Sequence, residues 1–346
     1  MTRVGEAGWA ALALLLGAAS PGITTLGVRT LGAQGAPPAT HLLVVAGAGG
    51  EPRYTAEFHA AARAIAEAAR TRFGVPDSNV TYLGEEMAAA TGRPAARATG
   101  ENVQRALART AARARPGDQV WVVLIGHGSG QGEQSRFNLL GPDMTAADFR
   151  RALAPLAAQR VALVNAASAS GDFARVLAGR NRAVVTATKS ALERNETTFA
   201  RHFAAALAAP GADTDKDGGV SLLEAFAYAR REVARAYEQD GRLLTEHAQL
   251  DDDGDGQAST DPGPRARDGA LAATLVLRPV PALAAADPQV AQLVAARAAL
   301  EGRVAALRRG KDSMPQPAYE RELERLLVEL ARTGRAIRAA EQRGAP

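Results

Sequence analysis

Six consecutive apolar residues, Val120-Trp-Val-Val-Leu-Ile125, stop abruptly at Gly126-His127-Gly128-Ser-Gly130. A run this short, apolar at every position and rich in β-branched residues, reads as a strand buried on both faces. Such strands belong to parallel sheets covered by helices on each side. Glycines at 126, 128 and 130 give the backbone room to turn sharply. His127 therefore falls at the carboxyl end of a central strand, where open α/β sheets place their sites. A second event of the same kind follows: Val161-Ala-Leu-Val164 runs into Asn165-Ala-Ala-Ser168-Ala-Ser170-Gly171. An imidazole and a hydroxyl at two strand ends form a base-and-nucleophile pair. Equally, His127 reads as a structural turn residue and Ser168 as a helix cap.

Strands and helices alternate around this pair. His41 to Ala46 and Asn79 to Leu83 read as strands, and Tyr54 to Arg72 as a helix with Phe58, Ala62, Ile65 and Ala69 on one face. Thr99 and Asn102 open a helix toward Arg115 that turns Val103, Leu107 and Ala111 inward. Phe137 to Leu140 reads as a short hairpin arm, and Thr145 caps the next helix. Ala183 to Thr188 is a strand, Thr197 to Ala208 a helix, and Ala270 to Leu277 a last strand. This alternation predicts an α/β fold of three layers, α/β/α, with a mostly parallel sheet. Gly47, Gly49 and Gly50 resemble a phosphate-binding turn but lack the helix-side glycine and the lysine of a P-loop.

The chain's 346 residues suit one large domain with an appendage. Its 41 basic and 37 acidic residues are interleaved at helical spacing, not gathered into a stripe with aromatics. That pattern argues against a nucleic-acid partner. Cysteine is absent, which excludes disulfides, thiolate metal sites and a thiol nucleophile. Arg3 precedes an apolar stretch, Ala7 to Ala18, followed by small residues. Residues 1–36 read as a signal peptide and linker, the alternative being an uncleaved N-terminal anchor. The expected location is outside the cytoplasm, periplasmic or extracellular, with no membrane association once the signal is cut.

Asp213-Thr-Asp215-Lys-Asp217-Gly218-Gly219-Val-Ser221-Leu-Leu-Glu224 fits the twelve-residue EF-hand calcium loop at each diagnostic position. Asp213, Asp215 and Asp217 offer single carboxylate oxygens and Gly219 a carbonyl. Ser221 takes the ninth position and Glu224 supplies the bidentate carboxylate, a set of hard oxygens that suits Ca²⁺. Asp251-Asp-Asp253-Gly-Asp255-Gly256 repeats the opening of that loop, but Pro262 stands where the bidentate ligand belongs. It reads as a polar surface turn or a remodelled site. Arg278-Pro-Val-Pro281 marks a boundary, so one domain is expected over 40–279. Beyond it Val290, Leu293, Leu300, Val304 and Leu307, then Tyr319, Leu323, Leu326, Leu330 and Ile337, keep helical spacing around a break at 310–317. Residues 285–342 are expected to form a helical hairpin, or a short coiled coil able to self-associate.

The paired strand ends resemble those of the caspase-fold cysteine peptidases, most of all the legumain-type branch with its bacterial relatives. Three features carry the resemblance: the apolar strand ending in Gly126-His127-Gly128; the strand ending in Asn165 to Gly171, where the family has Cys-x-Ser-Gly; and Thr99-Gly-Glu-Asn102 ahead of the helix feeding the His strand. The resemblance spans Thr40 to Leu277 and implies a caspase-like sheet acting on peptides. It implies His127 as the catalytic imidazole, with the amides of Gly128 and Ser168 as an oxyanion hole. It also implies a pocket for an acidic or amide side chain beside the strand ends, which Arg53, Ser190, Glu193 and Asn195 are positioned to line. Aligning Ser170-Gly171 on the family's Ser-Gly puts Ser168 in the cysteine's place. A thiol is partly ionised near neutral pH and strongly nucleophilic, whereas a hydroxyl needs an abutting base oriented by a third group. The expectation is an inactive peptidase homologue, a calcium-stabilised module binding peptide or protein. The alternatives are an active endopeptidase with Ser168 as nucleophile and His127 as base, oriented by Asp172 or Asn165, and a scaffold whose helical tail makes the interaction.

Overall fold

The computed structural model describes residues 38–85, 94–278, 288–311 and 314–344. The signal peptide expected over 1–36 and the boundary at Pro279 to Pro281 lie outside the described residues.

The first half holds strands β1 (Thr40–Ala46), β2 (Val80–Gly84), β3 (Ala96–Arg97), β4 (Gln119–Ile125), β5 (Gly128–Ser129), β6 (Arg136–Phe137) and β7 (Met144–Thr145). The second holds β8 (Arg160–Asn165), β9 (Arg182–Thr186), β10 (Val220–Ser221), β11 (Gln249–Asp251) and β12 (Val276–Leu277). The helices are α1 (Pro52–Thr71), α2 (Gly100–Arg113), α3 (Ala146–Leu153), α4 (Asp172–Leu177), α5 (Phe199–Ala208), α6 (Leu222–Gln239), α7 (Pro288–Arg309) and α8 (Gln316–Gly344).

Seven strands form one sheet in the order β11-β9-β8-β4-β1-β2-β3. Every pairing is parallel except β11 against β9. The strand pleat sorts alternate residues to two cores. On one face Leu42, Val44, Trp121, Val123, Val164 and Val185 pack with Phe58 and Ile65 of α1, Phe199 and Phe203 of α5 and Phe226 of α6. On the other, Leu43, Val45, Val122, Leu124 and Leu163 pack with Leu107 of α2, Phe149 of α3 and Phe173 of α4. The result is the expected three-layer α/β/α arrangement with a mostly parallel sheet.

Local chemistry sets the helix starts. The Thr99 hydroxyl accepts the Asn102 amide. Thr145 with Asp148 and Ser221 with Glu224 each form a reciprocal capping box. At the C-terminus α7 and α8 make an antiparallel pair around Leu300, Val304 and Leu326.

Two expectations about elements need correction. Ala270 to Leu277 is not a strand throughout. Residues 272–274 form a 3₁₀ turn, because the Asp252 carboxylate takes the amides of Gly269 and Ala272 at 2.8 and 2.7 Å. Only Val276–Leu277 is extended, and it pairs with β10 outside the main sheet. The second concerns Asp251 to Gly256, expected as a polar surface turn or a remodelled site: residues 253–256 do bend at the surface, but the start of the segment is not turn. It opens at the end of the antiparallel edge strand β11, where Asp251 is fully buried.

Candidate functional site at the β4 and β8 ends

β4 and β8 lie side by side with Leu124 opposite Asn165, so both open at the same edge of the sheet. The His127 ring stands edge-on to Tyr54 and Phe58 of α1, at centroid distances of 4.7 and 5.0 Å. Packing holds it: among the described residues neither ring nitrogen makes a hydrogen bond. Ser168 is buried, and its Oγ accepts the Gly128 amide at 3.3 Å. The Ser168 amide itself donates to nothing among the described residues. Ser168 caps no helix, since the residue flanking α4 is Gly171.

The turn carrying Ser168 is forced by close packing. A Cβ on Gly128 would stand 2.4 Å from the Ser168 carbonyl oxygen, and one on Gly171 would stand 2.3 Å from the Ser190 nitrogen. Ala169 takes a left-handed φ of +50°, a conformation unusual without glycine. The Glu193 carbonyl anchors its amide at 2.8 Å. Thr188 Oγ1 then accepts the amides of Ser170 and Gly171 at 2.8 and 3.1 Å. Both groups considered for orienting His127 serve the backbone instead. Asp172 accepts the Gly132 amide at 2.7 Å, and Asn165 Oδ1 the Ala167 amide at 3.1 Å. Among the described residues the site thus holds a hydroxyl with no base at its proton, an unspent amide beside it and an imidazole whose nitrogens make no hydrogen bond.

The pocket candidates divide. Arg53 stacks 4.3 Å above the Tyr54 ring and pairs with Glu196 at 3.4 Å, with its side chain exposed. Glu193 is committed to the Lys189 and His247 amides and to His247 Nδ1, the last at 2.6 Å. Asn195 donates to Thr245 Oγ1 at 3.2 Å, and Ser190 Oγ accepts the Leu192 amide at 3.3 Å. The 190–195 loop is therefore stitched to the 245–247 segment. Glu246 in that segment accepts the Thr198 and Phe199 amides that begin α5. Burial pushes its carboxyl up to about 7 against those hydrogen bonds.

Sequence reasoning missed a cavity of about 450 Å³ between α1 and α5. Ile125 and Ala166 lie at its floor, Phe58 and Ala204 on its walls, and Glu57, Glu196 and Arg201 at its rim. Its one sequence signal is the alanine-rich facing of both helices, which leaves volume that larger side chains would fill. The glycine turn after β1 is no open anion site, because Glu85 already accepts the Gly49 amide at 3.0 Å.

In the 213–224 loop, Asp213, Asp215 and Glu224 each bring an oxygen within 4.8 Å of the others. Asp213 Oδ1 is buried without a partner among the described residues. Asp217 instead pairs with Arg278 at 2.6 Å, and its carbonyl accepts Arg297 of α7 at 2.7 Å. Burial would raise the Asp217 carboxyl, but the Arg278 guanidinium overrides it and holds it below its ordinary value. Glu224 is spent on Ser221, Thr214 and Asp215. A cation held here would find Asp213 Oδ1 without a partner, with Gly219 and Ser221 at their positions in the loop, but Glu224 would have to give up its hydrogen bonds and Asp217 would have to leave Arg278.

Fold and site together define an α/β protein with a mostly parallel seven-stranded sheet and a His and a Ser at the ends of two central strands. No protein-family model matches the chain, and no curated protein matches it. Among solved structures, protein GSU0716 from Geobacter sulfurreducens, a structural genomics target, is similar. It shares 13% sequence identity over 62% of this chain and 93% of that one, with a TM-score of 0.41.

Proposed function

We propose that the protein is an exported homologue of the legumain- and caspase-type peptidases that binds peptide or protein through the β4–β8 cleft without cutting it. The observation carrying this is Ser168. Its hydroxyl oxygen accepts the Gly128 amide at 3.3 Å, while among the described residues the His127 ring makes no hydrogen bond to it or to an orienting group. A serine without a base at its proton is a poor nucleophile. The unspent Ser168 amide remains able to hold a carbonyl oxygen, and Arg53 at the cleft suits an acidic or amide side chain. In this reading Ca²⁺ at Asp213 to Glu224 braces the α5–α6 corner, and the helical tail packs against that loop through Arg297. Export rests on the apolar stretch of residues 7–18.

Covalent labelling tests the reading. Wild type should resist a fluorophosphonate probe, whereas Ser168→Cys should react with a peptide carrying an acyloxymethyl ketone. Fluorophosphonate labelling of wild type that disappears in Ser168→Ala would establish a serine hydrolase instead.

A further inference from the structure

We infer that Asp251, Asp253 and Asp255 form a second divalent-cation site, with Ca²⁺ as its ion. The inference goes beyond the proposed function and does not depend on it. The 213–218 and 251–256 segments adopt the same conformation. In the first, the amides of Asp217, Gly218 and Gly219 donate to Asp215 Oδ1, Asp213 Oδ2 and Asp217 Oδ1, at 3.0, 3.0 and 2.8 Å. In the second, the amides of Asp255, Gly256 and Gln257 donate to Asp253 Oδ1, Asp251 Oδ2 and Asp255 Oδ1, at 3.0, 2.7 and 2.7 Å. Both loops take positive φ at the fourth and sixth positions: Lys216 and Gly218, then Gly254 and Gly256.

A shared backbone does not make a site, but Asp251 adds an independent observation. Its side chain is fully buried, and Oδ1 has no hydrogen-bond partner among the described residues. The carboxylate is held in the loop by Oδ2, and Asp251, Asp253 and Asp255 each bring an oxygen within 4.8 Å of the others. A buried carboxylate oxygen with nothing to accept is costly. A hard cation among three carboxylates would remove that cost. The neighbouring acids do not: Asp268 accepts the Asp252 amide, and Asp252 accepts those of Gly269 and Ala272. The guanidinium that pairs with the cluster is that of Arg267, which bridges Asp253 and Asp255. Its side chain is 61% exposed, so a metal displaces a screened ion pair of small value.

The position suggests what the ion would brace. Asp251 ends β11, and Gln249 two residues earlier donates to the Gly171 carbonyl at 3.3 Å, beside the Ser168 turn. Gly254 packs on Gly179, between α4 and β9, where an added Cβ would stand 3.1 Å from the carbonyl carbon. The ion would hold the sheet's antiparallel edge against the element that follows the candidate nucleophile.

Calorimetric titration of the chelator-stripped full chain with CaCl₂ tests the site. Asp213→Asn removes a ligand of the first loop, and that variant should keep one Ca²⁺ event. Adding Asp255→Asn should weaken the retained event at least tenfold, and Asp251→Asn should do the same. Asp255 is the surface-side variant, so it stays informative if Asp251→Asn fails to fold. Arg267→Gln should tighten the event by removing the competing cation. MgCl₂ should bind at least tenfold more weakly, since Mg²⁺ demands stricter octahedral geometry. An Asp213→Asn chain that binds no Ca²⁺ would overturn the inference, as would a retained event indifferent to Asp255→Asn. Loss of one event in Asp255→Asn with none lost in Asp213→Asn would support this site while removing calcium from the 213–224 loop.

Discussion

Ser168 and Gly128 are locked together by distance. A methyl at Gly128 has 2.4 Å to the Ser168 carbonyl oxygen, so Gly128→Ala must push the two strand ends apart. Overpacking of this kind costs about 1–3 kcal/mol. A lowered melting temperature and loss of acyloxymethyl ketone labelling in the Ser168→Cys background are the expected readouts. Ser168→Ala takes the acceptor from the half-buried Gly128 amide and should cost about 1 kcal/mol. A second residue-scale effect is electrostatic. The folded Glu246 carboxyl sits at about 7, above its ordinary value of 4.5. Its acid form is favoured in the fold, so the contribution is fully present below about pH 4.5 and lost as pH rises through 7. The loss by pH 9 is on the order of 3 kcal/mol. Wild-type melting temperature should therefore fall between pH 6 and 8 by more than that of Glu246→Gln. Parallel pH profiles for the two proteins would contradict this assignment.

Among elements, the capping boxes and the tail contacts make separable predictions. Ser221→Ala removes the oxygen that accepts the Glu224 amide at the start of α6, a loss of about 1 kcal/mol by urea unfolding. Arg297→Ala removes the α7 donor to the Asp217 carbonyl. It should raise hydrogen exchange in 288–309 while β1, β4 and β8 stay protected. Equal exchange in wild type and variant would mean that apolar packing alone docks the tail. The elements legible in the sequence are those whose apolar pattern is long enough to have a period. β1, β4 and β8 announce themselves as unbroken apolar runs, and α1 and α2 by their inward faces. Gln249-Leu-Asp251 is too short for a pattern, and its burial comes from Val184 and Val185 on β9, which are remote in sequence. Ala270 to Leu277 has a strand's composition, but Asp252 captures its amides from outside the segment. At the site, His127 and Ser168 are legible because each ends an apolar strand in glycine. The Tyr54 and Phe58 clamp on His127 is not, because only folding brings α1 to that ring.

For the whole molecule, two cores on opposite faces of one sheet bury β4 and β8 along their length and leave their carboxyl ends, with His127 and Ser168, side by side. The proposed function requires that the peptide site be intact and only its nucleophile missing. Cleavage of a diverse peptide library by wild type, Ser168→Cys and Ser168→Ala, with Ca²⁺ and after chelation, tests it most directly. Cleavage by Ser168→Cys alone, with acidic or amide side chains at the cut, is the expected result. Cleavage by wild type that vanishes in Ser168→Ala would contradict it, as would a Ser168→Cys protein that folds with Ca²⁺ and cuts nothing.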